Sequence, residues 1–323
     1  MALAALATAP GAEAKTLHLS YNVAEGSSWD KGAKMFAKLV KERSDGAYQI
    51  NTHPNAVMAG GNDRVELEMA QGGAIQFLIK GSGWLTGIDP SFQALSLPWL
   101  FPDHATANAV LDGPAGDEVL KTLEGRDLVG LAWGANGFRQ VTNSRRPIVT
   151  PADLENAKIR VPGIELYRSV FSELGANPTT MSFAEVFTAL QTGAVDGQEN
   201  PMSLIYSSRF YDVQKYMTIW NYSYDAIVLV ANAGFWNGLS ADEQKMFRDA
   251  AREAMNYERE VVAQEDKSLA AELEKAGMEI TRLTPEQLAV FQEAIQPVYD
   301  EYKEKLGVDL VNKFENEVKK ASE

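Results

Sequence analysis

Leu17-His18-Leu19-Ser20-Tyr21-Asn22-Val23-Ala24 alternates apolar and polar side chains, as a strand with one face on a core does. The next stretch places Ala33, Phe36, Ala37 and Val40 at helical spacing and ends near Asp45-Gly46, after which Tyr48 to Pro54 alternates again. A strand, a helix and a second strand in immediate succession form a βαβ unit, which implies parallel pairing and a sheet covered by helices. Downstream come a Gly-rich corner, Ala59-Gly60-Gly61-Asn62, a helix through Met69, and a buried strand over Ala74 to Ile79. Leu128 to Ala135 (LVGLAWGA) reads as another strand, and Asp225 to Asn232 (DAIVLVAN) returns the chain to a sheet after a long excursion. The implied class is α/β, with mixed sheets flanked by helices.

Helix starts are marked by capping residues. Thr150-Pro151-Ala152-Asp153 combines an N-cap Thr, a Pro in the first turn and an acid beside the helix dipole. Ser182-Phe183-Ala184-Glu185 is a capping box, opening a helix that carries Val186, Phe187 and Leu190 and stops at Thr192-Gly193. A second box, Ser240-Ala241-Asp242-Glu243, begins a helical pattern that runs to about Lys275. At 1.5 Å per residue such a helix is ~50 Å long, more than the width of one small domain, so it is expected to span two. Thr284-Pro285-Glu286-Gln287 caps the next helix, and the charged residues from Glu301 onward read as a solvated helical tail. No Pro/Gly/Ser linker separates two domains, so several crossings must join them. The expected division is 15–136 with about 226–258, and 137–225 with about 259–323.

Composition narrows the function. The chain has 323 residues, 45% hydrophobic and 23% charged, a length that suits two domains. Its 30 Lys and Arg against 44 Asp and Glu give a net charge of −14, a field that repels nucleic-acid backbones and anionic lipid surfaces. With no cysteine, a Cys nucleophile, a zinc finger, an iron–sulfur site and a disulfide framework are all excluded. Residues 1–14, MALAALATAPGAEA, end in Ala12-Glu13-Ala14, a small-x-small pattern like a signal-peptidase site, so they read as a signal-peptide remnant before Lys15. A disordered Ala-rich N-terminus is the alternative. No other stretch approaches the ~18 apolar residues of a spanning helix, so no membrane insertion is expected.

The usual catalytic constellations do not emerge. His18, His53 and His104 are far apart and lack metal-ligand spacing, and no nucleotide-binding glycine motif occurs, so neither metal nor cofactor is expected. Acid pairs such as Glu66/Glu68 and Asp117/Glu118 read as solvated helix faces. Arginine in apolar context stands out: Arg160 in Lys158-Ile159-Arg160-Val161-Pro162, and Arg139 between Phe138 and Val141. A guanidinium at a cleft wall presents a planar fork that matches a carboxylate, either a ligand's or the protein's own. Trp29, Trp84, Trp99, Trp220, Tyr222 and Tyr224 lie near loop or strand ends, where aromatic faces serve a core or stack on a ligand. Asn200, in Gln198-Glu199-Asn200-Pro201, can both donate and accept hydrogen bonds.

Met181-Ser182-Phe183-Ala184-Glu185 through Gln198-Glu199-Asn200-Pro201 (MSFAEVFTALQTGAVDGQENP) resembles the signature of extracytoplasmic solute receptors of tripartite ATP-independent periplasmic (TRAP) transporters. KIRVP at 158–162, FAKLVKERSDG at 36–46, LSLPWLF at 95–101 and GFRQVTNSRRPI at 137–148 extend the resemblance over essentially the whole mature chain. It implies a periplasmic two-domain binding protein, not an enzyme, that closes on a small organic acid and delivers it to integral-membrane transporter subunits. The resemblance assigns Arg160 to the ligand carboxylate and aims Arg139 at the ligand, with Asn200, Phe183 and Asn22 lining the site. After Lys80, where sialic-acid-type relatives present an acid and an arginine, this chain has Gly81 and Trp84, which points away from sialic acid. Lys80 and Trp84 are then expected to shape the pocket, and Tyr224 or Asn221 to close its other side. C4-dicarboxylates, uronates, aldonates, 2-oxo acids and sulfonates remain open as ligands. The receptor of an ATP-driven importer shares the two-lobed logic without pairing KIRVP and QENP. A periplasmic α/β enzyme acting on carboxylated sugars would need an acid–base pair.

Overall fold

A computed structural model describes residues 14–323; the expected signal-peptide segment lies, but for its last residue, outside the described residues. Ten strands are found among them: β1 (Lys15–Ser20), β2 (Tyr48–His53), β3 (Phe77–Gly81), β4 (Leu128–Asn143), β5 (Lys158–Val161), β6 (Asn177–Thr180), β7 (Gly197–Pro201), β8 (Tyr216–Ile219), β9 (Tyr224–Asn232) and β10 (Glu279–Arg282). Their order is β2-β1-β3-β9-β4-β7-β5-β6, with β8 also on β4 and β10 on β8. β1 and β2 are parallel across the helix Ser28–Arg43, which is the βαβ unit of the opening sequence. β9 is antiparallel to both β3 and β4, whereas β5 is parallel to β6 and β7, so the sheets are mixed.

β4 belongs to both strand groups. Leu128 to Phe138 pair with β9, while Arg139 to Asn143 pair with β7 and Val141 to Asn143 with β8. Alternation predicts a strand ending at Ala135, but the strand continues, because the interruption is a bulge between Ala135 and Gly137 and not an end. Gly137 has φ 108°, a conformation that suits glycine and marks the bend where β4 changes partners.

The helix Ala241–Lys275 has 35 residues and begins at a complete Ser240/Glu243 capping box, as the sequence predicts. Its first half buries Phe247, Ala250, Ala251, Ala254 and Met255 in a core with Leu17, Leu19, Phe36 and Ile79. Its last turns bury Leu269 and Leu273 in a separate core with Val186, Leu190 and Met217. A third core, with Leu78, Phe92, Trp133, Ile159, Phe171 and Trp220, runs along the opposite side of the strands. One helix therefore reaches all three cores, since Val262, between those two stretches, is buried in the third.

Several expectations change. The chain from Glu301 onward is not a solvated tail: the helices Gln296–Leu306 and Val308–Ala321 bury Tyr302, Val311 and Phe314, and the second packs on His104–Leu111 and Pro114–Lys121. Dense charge on the outer face masks the i, i+3 stripe on the inner one. Glu66 is not on a solvated face but fully buried. The strand expected at Ala74 to Ile79 starts at Phe77 and extends to Gly81. β6, β8 and β10 are too short and too polar for alternation to reveal.

Candidate functional site

Strands β1, β3, β5 and β7 present their carboxyl ends to one cleft, the position where ligands bind open α/β sheets. Asn22 follows β1, Trp84 sits in the turn Ser82–Gly87 after β3, Arg160 lies near the end of β5 and Asn200 near that of β7. Phe183 opens the short turn after Ser182, whose capping box forms as predicted, and Arg139 is paired with Pro201 across β4 and β7. These six residues line one cavity of about 40 Å³ together with Val23, Trp29, Gly81, Asn136, Pro162, Ile164, Leu204 and Asp225. The cleft walls meet closely: a Cβ added to Gly83 would lie 2.3 Å from Ile164 Cδ1.

The two arginines differ in their partners. Arg139 Nε and Nη2 donate to the two carboxylate oxygens of Glu199, and Nη1 donates to Asp225 Oδ2 at 2.5 Å. Nη2 also reaches the Glu199 carbonyl oxygen at 2.9 Å and Asn200 Oδ1 at 3.1 Å. Tyr222 adds a hydroxyl donor to Glu199 at 2.7 Å, and Asn136 Nδ2 donates to Asp225 at 2.7 Å while accepting from Trp29 Nε1. Burial works against the Arg139 charge, but the Glu199 and Asp225 carboxylates outweigh it and hold the guanidinium well above its ordinary pKa.

Arg160 is as deeply buried, at 1% exposure, yet no carboxylate among the described residues is within ion-pair reach. Nε and Nη2 both donate to the Met181 carbonyl oxygen, at 3.2 and 2.8 Å, and Nη1 makes no hydrogen bond to the described residues. Burial draws its pKa down to about 10, with the more distant Glu199 charge opposing. The guanidinium stays charged at neutral pH and carries unused donor capacity. The Phe183 ring lies 5.9 Å from its central carbon and forms one wall beside it.

Three expected ligand contacts are placed elsewhere. Lys80 is fully buried, with Nζ 2.6 Å from both Asp63 Oδ1 and Glu66 Oε2 and 5.4 Å from the Trp84 ring centre. Tyr224 packs its ring on Phe101, His104 and Phe138 and donates its hydroxyl to Asn108 at 3.3 Å. Asn221 accepts from Gln140 Nε2 at 2.6 Å. In their stead the cavity takes Asp225 and Asn136, which the sequence reading does not single out as ligand contacts. The signal for Asp225 is an acid opening the otherwise apolar run DAIVLVAN; for Asn136 it is a lone amide inside LVGLAWGANG.

Residues 19–305 match the family model described as bacterial extracellular solute-binding protein, family 7. The 2,3-diketo-L-gulonate-binding periplasmic protein of Escherichia coli K12 is 36% identical over 86% of this chain and 84% of its own. A TRAP periplasmic solute-binding protein from Ralstonia eutropha H16, solved with (S)-2-acetolactate, superposes with a TM-score of 0.91 at 34% identity, covering 94% of this chain and 99% of that one. The sugar-acid-binding protein of Advenella mimigardefordensis, solved with galactonate, gives 0.92 at 32% identity over 96% and 99%. Match, fold and cleft agree: the chain belongs to the family 7 bacterial extracellular solute-binding proteins, the periplasmic receptors that serve TRAP transporters.

Proposed function

We propose that this receptor captures a small organic acid, a sugar acid or a C4-dicarboxylate, by pairing its carboxylate with Arg160. The observation that carries the reading is the buried guanidinium with no protein carboxylate. Desolvating an unpaired charge is costly, and an incoming carboxylate supplies the missing partner in a charge-assisted geometry sheltered from water. Arg139 is then a positioning residue: held by Glu199 and Asp225, it keeps Asn200 and Asp225 in place at the cavity wall. Asn22, Trp84 and Phe183 complete the enclosure.

Capture by closure fits two lobes divided near Gly137, expected as 15–136 with about 226–258 and 137–225 with about 259–323, except that the Val308–Ala321 helix packs on His104–Leu111 and Pro114–Lys121 and so goes with the first lobe. The candidate hinge is the bulge at Gly137, with the Ala241–Lys275 helix packed on β4 beside it. In this reading the ligand is bound and released unchanged. The sugar acids named for similar proteins support the ligand class without choosing a member.

Unfolding and refolding the mature chain to strip bound solute, then titrating it calorimetrically with carboxylates and their uncharged amides, tests the proposal. Carboxylates bind and amides do not, and Arg160→Ala weakens the best carboxylate by about 100- to 1000-fold. Wild-type affinity in that variant rejects the assignment. Recovery of a chemically altered acid after incubation would favour the enzyme reading.

A further inference from the structure

Trp84 and Ile164 line a second hollow as well as the ligand cavity. This groove has a volume of about 820 Å³, within the ~300–1,000 Å³ of small-molecule sites, and lies between residues of the segment 64–93 on one side and 163–165 with 305–306 on the other. Leu67, Ile88, Pro90 and Leu306 complete its apolar walls. Two polar groups on the same walls lack partners. Gln93, in the short helix Ser91–Ala94, is only 4% exposed, and its side-chain amide makes no hydrogen bond to the described residues. Thr86 Oγ1 is likewise buried and unpartnered. A buried amide left unpaired is costly, so its place on a groove wall marks where a partner is due.

The chemistry of that partner follows from the amide itself. Gln93 presents N–H donors and a carbonyl acceptor, so its complement must both accept and donate, as a carboxamide or a hydroxyl does; a carboxylate only accepts and an ammonium only donates. Charge gives the same answer. The charged residues of the groove pair with one another, Arg64 with Glu68 at 2.9 Å and Lys305 with Glu165 at 3.2 Å. No charge is left over for an ionic ligand, in contrast to the cavity beside it, where Arg160 awaits a carboxylate.

We propose that this groove is a second binding site, separate from Arg160, for a neutral small molecule with an apolar body and a carboxamide or hydroxyl end that bonds to Gln93. The body covers Leu67, Ile88 and Leu306 and removes them from water, while the Trp84 ring offers a flat face. An ionised end in the same place would lose its hydration and find no counter-charge.

Benzamide, benzoate and protonated benzamidine share one shape and are neutral, anionic and cationic, so they test the class by charge. Methyl NMR on the stripped chain locates each probe, because Ile88 and Leu306 line the groove whereas Val23 and Leu204 line the acid cavity. Benzamide shifts the Ile88 and Leu306 methyl signals with a Kd of about 1 mM or tighter and leaves those of Val23 and Leu204 in place; the two ions bind the groove at least about tenfold more weakly. Gln93→Leu weakens benzamide by about tenfold. Gly87→Phe, at a position where an added Cβ meets no atom within 4 Å, fills the groove and abolishes the shifts. Unmoved Ile88 and Leu306 signals, shifts confined to Val23 and Leu204, an ion that binds the groove as well as benzamide, or full benzamide affinity in either folded variant overturns the proposal. None of these results bears on the Arg160 reading, since Arg160 does not line the groove.

Discussion

Arg139 on β4 and Arg160 on β5 flank β7 and are equally removed from solvent, at 3% and 1% exposure, but they sit in opposite kinds of surroundings. Around Arg139 the donors reach Glu199, Asp225 and Asn200, and Tyr222 closes the ring. Around Arg160 the protein provides a single carbonyl oxygen and an aromatic wall. The same residue type at the same depth is thus finished in one place and unfinished in the other. Burial alone does not separate a structural arginine from a binding one; spare donor capacity does. A completed network contributes to the rest state of the fold, whereas an incomplete one destabilises it until a partner arrives.

The largest effect that could break this contrast comes from Arg139→Gln, which leaves Glu199 and Asp225 buried without their cation. It should cost roughly 3–5 kcal/mol, read as a fall in melting temperature on the order of 10 °C in the ligand-free chain. Arg160→Ala should leave the ligand-free melting temperature within a few degrees of wild type, because no ion pair is lost. The reverse ranking in thermal denaturation would exchange the two roles.

Phe183→Ala sharpens the comparison from the other side. Removing the wall next to Arg160 should weaken the acid by about tenfold while retaining the preference for carboxylate over amide. Loss of that preference would mean that the ring, and not the guanidinium, recognises the anion.

A third buried charge gives the smallest effect and extends the rule to an acid. Glu258, on the long helix beneath β4, accepts the Ala135 N–H at 2.9 Å, leaves its other oxygen unpaired, and is pushed by burial from 4.5 up to about 8. Folding therefore takes up a proton between these values, so the contribution of this group is fully present below pH 4.5 and is lost as pH rises through about 8. Glu258→Gln, neutral throughout, should flatten the fall in melting temperature over that window and raise it by a few degrees at pH 8. An unchanged pH profile would show that Glu258 is already relieved by water or by movement of the helix.

Much of this was legible from sequence where local signals and chemistry coincide. The capping boxes at Ser182 and Ser240 form as written, the βαβ opening pairs as expected, and the apolar flanks of Arg160 place it on a strand at the cleft. Legibility failed where partners come from distant segments. Lys80, Asp63 and Glu66 lie on a strand and a helix whose facing sides no single window reveals, so Lys80 reads as a ligand contact while it is neutralised inside the protein. Tyr224 and Asn221 fail for the same reason, since Asn108 and Gln140 reach them from elsewhere in the chain. Asp225 escaped notice because an acid at the head of an apolar strand gains meaning only once Arg139 is beside it.

The position of β9 has a bearing on how the chain comes to be folded at all. This strand lies between β3 and β4, and its register joins Phe77 to Ala231 and Leu128 to Asn232. During synthesis, residues up to about 220 can emerge with β4–β8 able to pair but with β1–β3 not yet joined to β4, since the strand that lies between β3 and β4 has yet to appear. Contacts so remote in sequence form late and carry a high loop-closure cost. A receptor that works outside the cytoplasm must cross a membrane first, and the late arrival of β9 delays the joining of β1–β3 to the rest of the strands. Any fragment ending before Asn232 is accordingly an open sheet edge in search of a partner.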